Sequence, residues 1–181
     1  ESGNPFDEDL TAGVIMTLAE LKILDPACGS GAFPMGALNK LVLMLSKLDA
    51  NNKLWQRQHE RRLNEDLAKA TKAKNIEEVE ALTAELIRLK TNFEQQTAEY
   101  TRKLYLIENS IYGVDIQPIA VQIAKLRFFI ALIVSQQVDA KKPNRGMLAL
   151  PNLETRIVAA NGLQALSNKE QAVMESDALR A

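Results

Sequence analysis

Apolar and polar positions along the chain follow a pattern that predicts helices alternating with short strands. The first segment has leucine and valine at helical spacing, at positions Leu10, Val14, Leu18 and Leu21. Asp7 can cap the first turn, so a helix is predicted over residues 7–21. The apolar run at 22–25 is stopped by Pro26 and leads through a glycine turn into a second helical pattern over residues 35–48. This order predicts a strand, a glycine turn and a helix.

The middle of the chain, residues 49–103, has no glycine and no proline, and this composition favours helix. In its second half the apolar residues step by three, four and once by seven, at Ile76, Val79, Leu82, Leu86, Leu89, Phe93, Tyr100 and Leu104. The first half is basic and the second acidic, with Asn75 suited to a turn between them. We predict an inserted antiparallel helical hairpin whose opposite charges attract. The alternative is that the basic helix lies on DNA phosphates.

Alternation of strand and helix returns after the insertion. Residues 110–116 predict a strand that ends near Asp115, and residues 119–134 predict a helix so apolar on nearly every side that it should be buried against a sheet. Residues 155–160 predict a third strand, with Asn161–Gly162 as its turn. Strands that alternate with helices are typical of an open α/β sheet.

Charge and length restrict the possible partners. The 22 lysine and arginine residues balance 23 acidic residues, which leaves no whole-molecule electrostatic argument for nucleic acid or membrane binding. The single cysteine, Cys28, cannot form an internal disulfide, so we expect a reducing, cytoplasmic location. The longest apolar run, residues 128–134, is far below the roughly 20 residues that span a bilayer, and the polar first residues do not resemble a signal peptide.

The candidate chemistry lies at the predicted strand ends, where open parallel sheets bind their ligands. Gly29 and Gly31 allow a tight turn and a close backbone approach by a ligand, and Asp115 can accept hydrogen bonds from ribose hydroxyls. These features alone allow either a nicotinamide dinucleotide or S-adenosylmethionine. The spacing to Gly36 differs from the dinucleotide fingerprint G-x-G-x-x-G. A scaffold built around the helical hairpin, without enzymatic activity, is the third hypothesis.

Two motifs resemble a known family. DPACGSGAF at residues 25–33 resembles motif I of the S-adenosylmethionine-dependent DNA amino-methyltransferases, in particular the adenine-N6 group. IYGVDIQP at residues 111–118, followed by AVQIAKLR at 120–127, resembles the next motif of large single-chain restriction-modification methylases (type IIG-like) and their phage-defence relatives. LPNLE at residues 150–154, together with Ile157 and Asn161, resembles their third strand, which usually ends Gly-Asn-Ser-Leu where this chain has ANGL at residues 160–163.

The resemblance implies a fold and a division of the chain. The expected fold is a partial class I (Rossmann-like) methyltransferase sheet with flanking helices. Residues 1–48 and 104–181 would form the cofactor-binding half of the methyltransferase domain, and residues 49–103 would be the inserted hairpin.

The resemblance also implies a cofactor, S-adenosyl-L-methionine, and its binding residues. The first loop would wrap the methionine end of the cofactor through Asp25, Pro26, Ala27, Cys28, Gly29, Gly31 and Phe33. Asp115 would bind the ribose hydroxyls, Ile116 would pack on the adenine face, and Asn161 would meet the adenine edge. The residue types alone favour a buried filler role for Cys28 and a turn role for Asn161. No metal is expected.

One family motif is missing from the sequence. Transfer to an exocyclic amine in this family uses Asn or Asp, two prolines and an aromatic residue, which receive the flipped base. The partial match at residues 4–6, Asn-Pro-Phe, lacks the second proline and is interpreted as a loop. We therefore expect no catalytic residue in this chain and DNA contacts through other regions of a longer parent. The chain alone should transfer no methyl group and should bind the cofactor at most weakly. An open sheet edge beside the first strand would invite self-association.

Overall fold

The computed structural model describes residues 6–147 and 155–162. Its regular elements are α1 (Glu8–Glu20), β1 (Ile23–Asp25), α2 (Ala32–Leu48), α3 (Lys53–Ala73), α4 (Ile76–Gln95), α5 (Ala98–Asn109), β2 (Ile111–Asp115), α6 (Pro118–Ile133) and β3 (Arg156–Ala159). A short 3₁₀ turn covers Pro143–Gly146. The predicted first helix is confirmed, and the Asp7 carboxylate caps it by accepting a 2.8 Å hydrogen bond from the Leu10 N–H. Residues 4, 5 and 150–154, which carried two of the motif comparisons, lie outside the described part of the chain.

The three strands form one parallel sheet in the order β1-β2-β3. Asp25 pairs in register with Gly113, and Asp115 pairs with Ala159. All three carboxyl ends therefore lie at one edge of the sheet. The α/β class predicted from the sequence is confirmed, and each strand lies within one residue of its predicted limits.

The helices cover one face of this sheet. Ile111, Gly113 and Ile157 point to that face and are buried, because α2 and α6 pack against the strands there. Successive side chains alternate between faces, so Leu24 and Val158 point the other way and are largely exposed. In the described residues, the sheet thus has one covered and one open face.

Helix α6 differs from its prediction. Phe128, Ala124 and Leu132 are buried against the sheet and neighbouring helices. The opposite side is an exposed apolar stripe formed by Ile119, Ile123, Leu126, Ile130 and Ile133. The predicted burial of α6 against the sheet is confirmed for one side of the helix only, because α6 has neighbours in the described structure on that side alone. None of the helices within residues 6–147 combines the length and apolarity needed to cross a bilayer.

The inserted helices α3 and α4 fold back on each other, with Lys74 in a left-handed conformation and Asn75 capping α4. Side-chain packing holds the pair in place. Trp55 is 2% exposed and packs edge-to-face against Phe93 of α4 and Tyr105 of α5, with ring centroids 6.1 and 5.2 Å away.

The electrostatic reason given for this hairpin was wrong. None of the ion pairs among the described residues joins α3 to α4. Arg57 and Arg62 of α3 instead pair with Glu8 and Glu20 of α1. Two arginines of α3 are therefore paired with the first helix, which reduces the charge available for DNA phosphates.

The second half of the insertion is two helices. The chain leaves helical geometry at Gln96, and Thr97 caps α5 by accepting a 3.0 Å hydrogen bond from the Tyr100 N–H. The seven-residue step from Phe93 to Tyr100 spans this break. The apolar residues from Ile76 to Leu104, whose spacing suggested a single helix for this half of the hairpin, therefore lie on two helices. The predicted limit of the insertion at residue 103 falls inside α5, and the division into domains stays a prediction.

A buried polar cluster connects α5 to the end of α6. The Lys103 ammonium group lies 2.6 Å from Glu99 Oε1 and donates a 2.7 Å hydrogen bond to the Ser135 hydroxyl. Thr97 donates to the Ser135 carbonyl oxygen at 2.6 Å. The hydrogen bond from Lys103 lowers the pKa of Glu99, with the ammonium charge contributing further. A paired lysine can thus be buried here without an isolated charge.

Candidate functional site

The loops that follow the three strands meet at the carboxyl edge of the sheet. The Ala160 N–H after β3 donates a 3.0 Å hydrogen bond to the Asp115 carbonyl oxygen at the end of β2. A methyl group built on Gly162 would lie 3.4 Å from the carbonyl oxygen of Pro26 after β1. The three loops therefore line one continuous edge, where ligands of open α/β sheets bind.

The first loop is shaped by its own backbone. The Cys28 N–H donates to the Val114 carbonyl oxygen at 2.9 Å, and the Gly31 N–H donates to the Cys28 carbonyl oxygen at 2.9 Å. Gly29 and Gly31 have φ values of +53° and +81°, a region that side-chain-bearing residues rarely adopt. These two positive φ values turn the chain from β1 into α2.

The two glycines serve different neighbours. A methyl group built on Gly29 would meet no atom within 4 Å, so its Cα faces open space. The same group on Gly31 would lie 2.9 Å from Cβ of Ala124 in α6. Gly31 therefore also has a packing role, because the absence of a side chain lets α6 approach the loop. Its predicted contact with a ligand stays a prediction. Sequence reasoning missed Ala124, although a small residue within the large apolar side chains of α6 was the available signal.

Asp115 connects the first loop to the second strand. Its Oδ2 accepts a 2.8 Å hydrogen bond from the Gly29 N–H, and its Oδ1 accepts a 2.9 Å hydrogen bond from the Gln117 N–H. The glycine loop and the acidic strand end thus meet directly. Each carboxylate oxygen can accept more than one hydrogen bond, so acceptor capacity remains for a ligand.

Cys28 lies beneath the loop. Its side chain is 6% exposed, and a methyl group on Gly113 of β2 would come within 3.0 Å of its sulfur. Burial raises the pKa of the Cys28 thiol, and the nearby charges of Asp25 and Asp115 raise it further. The thiol is therefore protonated at neutral pH and is packed as a filler, while Gly113 leaves room for it.

The other predicted residues lie around the same edge. Asp25 Oδ1 accepts a 3.2 Å hydrogen bond from the Ala27 N–H, and Pro26 is exposed. Ile116 is 69% exposed and Phe33 is 61% exposed, which leaves both apolar side chains free to cover a ligand. Exposed Asn161 follows Ala160 directly at the end of β3. No group of three metal-ligating side chains occurs in residues 6–147 or 155–162.

The amino terminus of α2 opens onto the same loop. The N–H groups of Ala32 and Phe33 have no acceptor among the described residues, and Pro34 has no N–H to offer. A helix amino terminus carries partial positive charge and stabilises an anion. The first turn of α2 can therefore receive a carboxylate next to Gly31.

Fold and site together define an α/β domain in which the loops after three parallel strands meet at the carboxyl edge of the sheet. The family model for the MmeI DNA-methyltransferase domain matches residues 7–177, nearly the whole chain. This chain belongs to that family.

A curated relative agrees with this assignment. The chain is 34% identical over 146 residues to a protein of Methanocaldococcus jannaschii named "Putative type II restriction enzyme and methyltransferase RM.MjaORFECS2P". The match covers 81% of this chain and 9% of that protein. No solved structure gives a significant match.

Proposed function

We propose that the chain is the S-adenosylmethionine-binding portion of a DNA (adenine-N6) methyltransferase from a restriction-modification or phage-defence system. The observation that carries this proposal is the direct hydrogen bond between Gly29 and Asp115, which joins the two motif loops in one crevice. Membership in the MmeI methyltransferase family supports methyl transfer over nicotinamide chemistry. In this proposal the three strands are half of a class I, Rossmann-like sheet.

The crevice residues fit the parts of the cofactor. Asp115 retains acceptor capacity for the ribose hydroxyls, and exposed Ile116 can cover the adenine face. Asp25 can meet the amino group of the methionine end. The N–H groups at the start of α2, which have no acceptor within the described ranges, can meet its carboxylate. Asn161 would meet the adenine edge.

Bound S-adenosylmethionine supplies a methyl group on a sulfonium centre. The role proposed for this chain is to hold the methyl donor in one orientation. Such positioning lowers the activation barrier of methyl transfer. The motif that receives the adenine would come from another region of a longer parent, together with the DNA contacts. On the described surface, ion pairing of α3 with α1 favours that arrangement over a DNA site on the hairpin.

Calorimetry tests the proposal. The purified chain should bind S-adenosylhomocysteine and not NADH, and Asp115→Ala should weaken binding at least about tenfold, the cost of a lost charged hydrogen bond. Asp139→Ala is the matched control, because Asp139 makes the same local bond, to the Lys141 N–H, away from the crevice. Binding of NADH in preference would support an oxidoreductase, and binding of neither would support a scaffold.

A methylation assay tests the division of labour. With S-adenosylmethionine and adenine-containing DNA, the chain alone should transfer no methyl group. Robust methylation would show that the acceptor site lies within these 181 residues.

Self-association is the last part of the proposal. In the described part of the chain β1 is an edge strand of the three-stranded sheet, and we expect its outer side to pair with a strand of another copy. Light scattering of the purified chain should show species above the monomer mass. A clean monomer with rapid amide exchange at β1 would contradict this expectation.

A further inference from the structure

We infer that Asp115 is also a positioning residue, because its carboxylate holds the glycine loop in its binding shape before any ligand arrives. This inference deepens the proposed function, since it assigns the same residue a role in the free protein. It concerns the hydrogen bond to the Gly29 N–H, which links segments 86 residues apart in the sequence.

The geometry shows a carboxylate shared between two backbone segments. Asp115 Oδ1 accepts from Gln117 and so stays fixed to its own turn, while Oδ2 reaches across to Gly29. Hydrogen bonds to an ionised carboxylate are about twice as strong as neutral ones. The Asp115 carboxylate therefore links the end of β2, where it is fixed, to the glycine loop at Gly29.

The loop depends on this bridge at one position. Cys28 and Gly31 are held by backbone hydrogen bonds, but the described acceptor of the Gly29 N–H is Asp115. Gly29 has a positive φ and no packing contact within 4 Å of where its Cβ would lie. The Asp115 carboxylate is thus the described side chain from a distant segment that holds the Gly29 backbone.

A role limited to ribose binding would leave the free protein unchanged when Asp115 is altered. A positioning role predicts that altering Asp115 makes the glycine loop less ordered even in the ligand-free protein. It also predicts that Asp115→Asn weakens the binding of ligands that have no ribose hydroxyls, because the loop that grips their methionine end is then less ordered.

Hydrogen–deuterium exchange of the ligand-free 181-residue chain separates these possibilities. Asp115→Asn keeps the shape but can offer its one oxygen to only one of the two N–H groups. We expect exchange at Gly29 to accelerate about tenfold or more, with no change in the strands. Asp115→Glu, which keeps the charge but displaces the oxygens, should do the same, and the control Asp139→Asn should not. Unchanged exchange at Gly29 in both Asp115 variants would overturn the inference.

A second measurement uses 2′,3′-dideoxy-S-adenosylhomocysteine. Asp115→Asn should still weaken its binding several-fold, whereas a purely ribose-binding role predicts no loss. The outcomes distinguish the two proposals. Faster Gly29 exchange in a chain that binds no S-adenosyl ligand would retain the positioning role and reject the proposed function. The chain could instead bind the S-adenosyl ligand, show unchanged Gly29 exchange, and bind the dideoxy compound equally well as variant and as wild type. That result would retain the proposed function and reject the positioning role.

Discussion

The crevice and the hairpin are held together by different means. The crevice loops are fixed by backbone hydrogen bonds, two positive φ values and one bridging carboxylate. The hairpin is fixed by buried aromatic side chains around Trp55 and by exposed ion pairs to α1.

This difference determines what each region tolerates. A backbone-built loop has few positions that can change, because glycine and a short acid are each needed at one place. A side-chain-packed hairpin can change its surface freely and depends on a few large buried groups. The two regions should therefore fail separately: crevice variants should lose ligand binding, and hairpin variants should lose stability.

Truncation of the hairpin anchor should have the largest effect. Trp55→Ala removes a 2% exposed ring that contacts three other rings, and it should lower the free energy of unfolding by about 3–5 kcal/mol. Urea unfolding followed by circular dichroism measures this. Ile87→Ala, at a 62% exposed position of α4, is the control and should stay within about 0.5 kcal/mol. A Trp55 effect as small as that of the control would show that the rings do not anchor the hairpin.

A side chain at the loop–helix contact should have the next largest effect. Gly31→Ala introduces both a strained φ and a 2.9 Å contact with Ala124, at a cost of about 2–4 kcal/mol. Urea unfolding should show this loss, together with loss of S-adenosylhomocysteine binding. Gly36→Ala, inside α2 with free space around it, should be neutral or stabilising.

The substitution Ala124→Gly tests whether the close contact or the strained φ causes most of the stability loss in Gly31→Ala. Ala124→Gly itself should cost about 1 kcal/mol, because it places a glycine inside α6. Measured against Ala124→Gly, the added Gly31→Ala should therefore cost less than in wild type by the part due to the contact and still cost the part due to φ. If the single variant Gly31→Ala were as stable as wild type and bound the ligand as well, the close packing of the loop on α6 would be contradicted.

Acidification should weaken the hairpin through His59. Burial lowers the pKa of His59 from its ordinary 6.5, and the neutral ring accepts from Trp55 Nε1 at 3.2 Å. Below pH about 6.5 the unfolded chain binds a proton that the folded chain does not, so stability present above that pH falls as the pH falls. Glu99, whose pKa is lowered, contributes its own loss only below about pH 4.5.

The fluorescence of Trp55, the single tryptophan, can follow unfolding between pH 7 and 5. His59→Gln keeps one acceptor and one donor but does not titrate, so its stability should depend less on pH in this range. An equal slope in wild type and variant would assign the pH dependence elsewhere.

Loss of a surface ion pair should have the smallest effect. Arg57→Met removes the pair with Glu8, whose side chains are 67% and 66% exposed, and should cost no more than about 1 kcal/mol. The small cost should vanish in high salt. A loss larger than that of Gly31→Ala that disappears in high salt would mean that charge, rather than packing, docks the hairpin.

The sequence predicted the sheet and the edge at which the loops meet, because glycine, proline and the apolar strands act locally. The sequence could not predict that Gly31 packs closely against Ala124, since these two residues are far apart in the chain and meet only in the fold. The break at Thr97 was hidden because the apolar spacing continues across it.

Charge was the least reliable signal. The opposite charges of α3 and α4 indicated a hairpin, and the hairpin exists, but Arg57 and Arg62 pair with α1. Exposed ion pairs are weak, so aromatic packing decides the arrangement. The exposed stripe on α6 was likewise unpredictable, because composition shows that a helix is apolar but not how many neighbours cover it.

Hydrogen–deuterium exchange with and without S-adenosylhomocysteine tests the central claim most directly, namely that two strand-end loops form one cofactor site. We predict slower exchange with the ligand at residues 27–33 and 115–117 together, and no change in α3 and α4. Protection of the hairpin, of one loop alone or of neither loop would contradict the account.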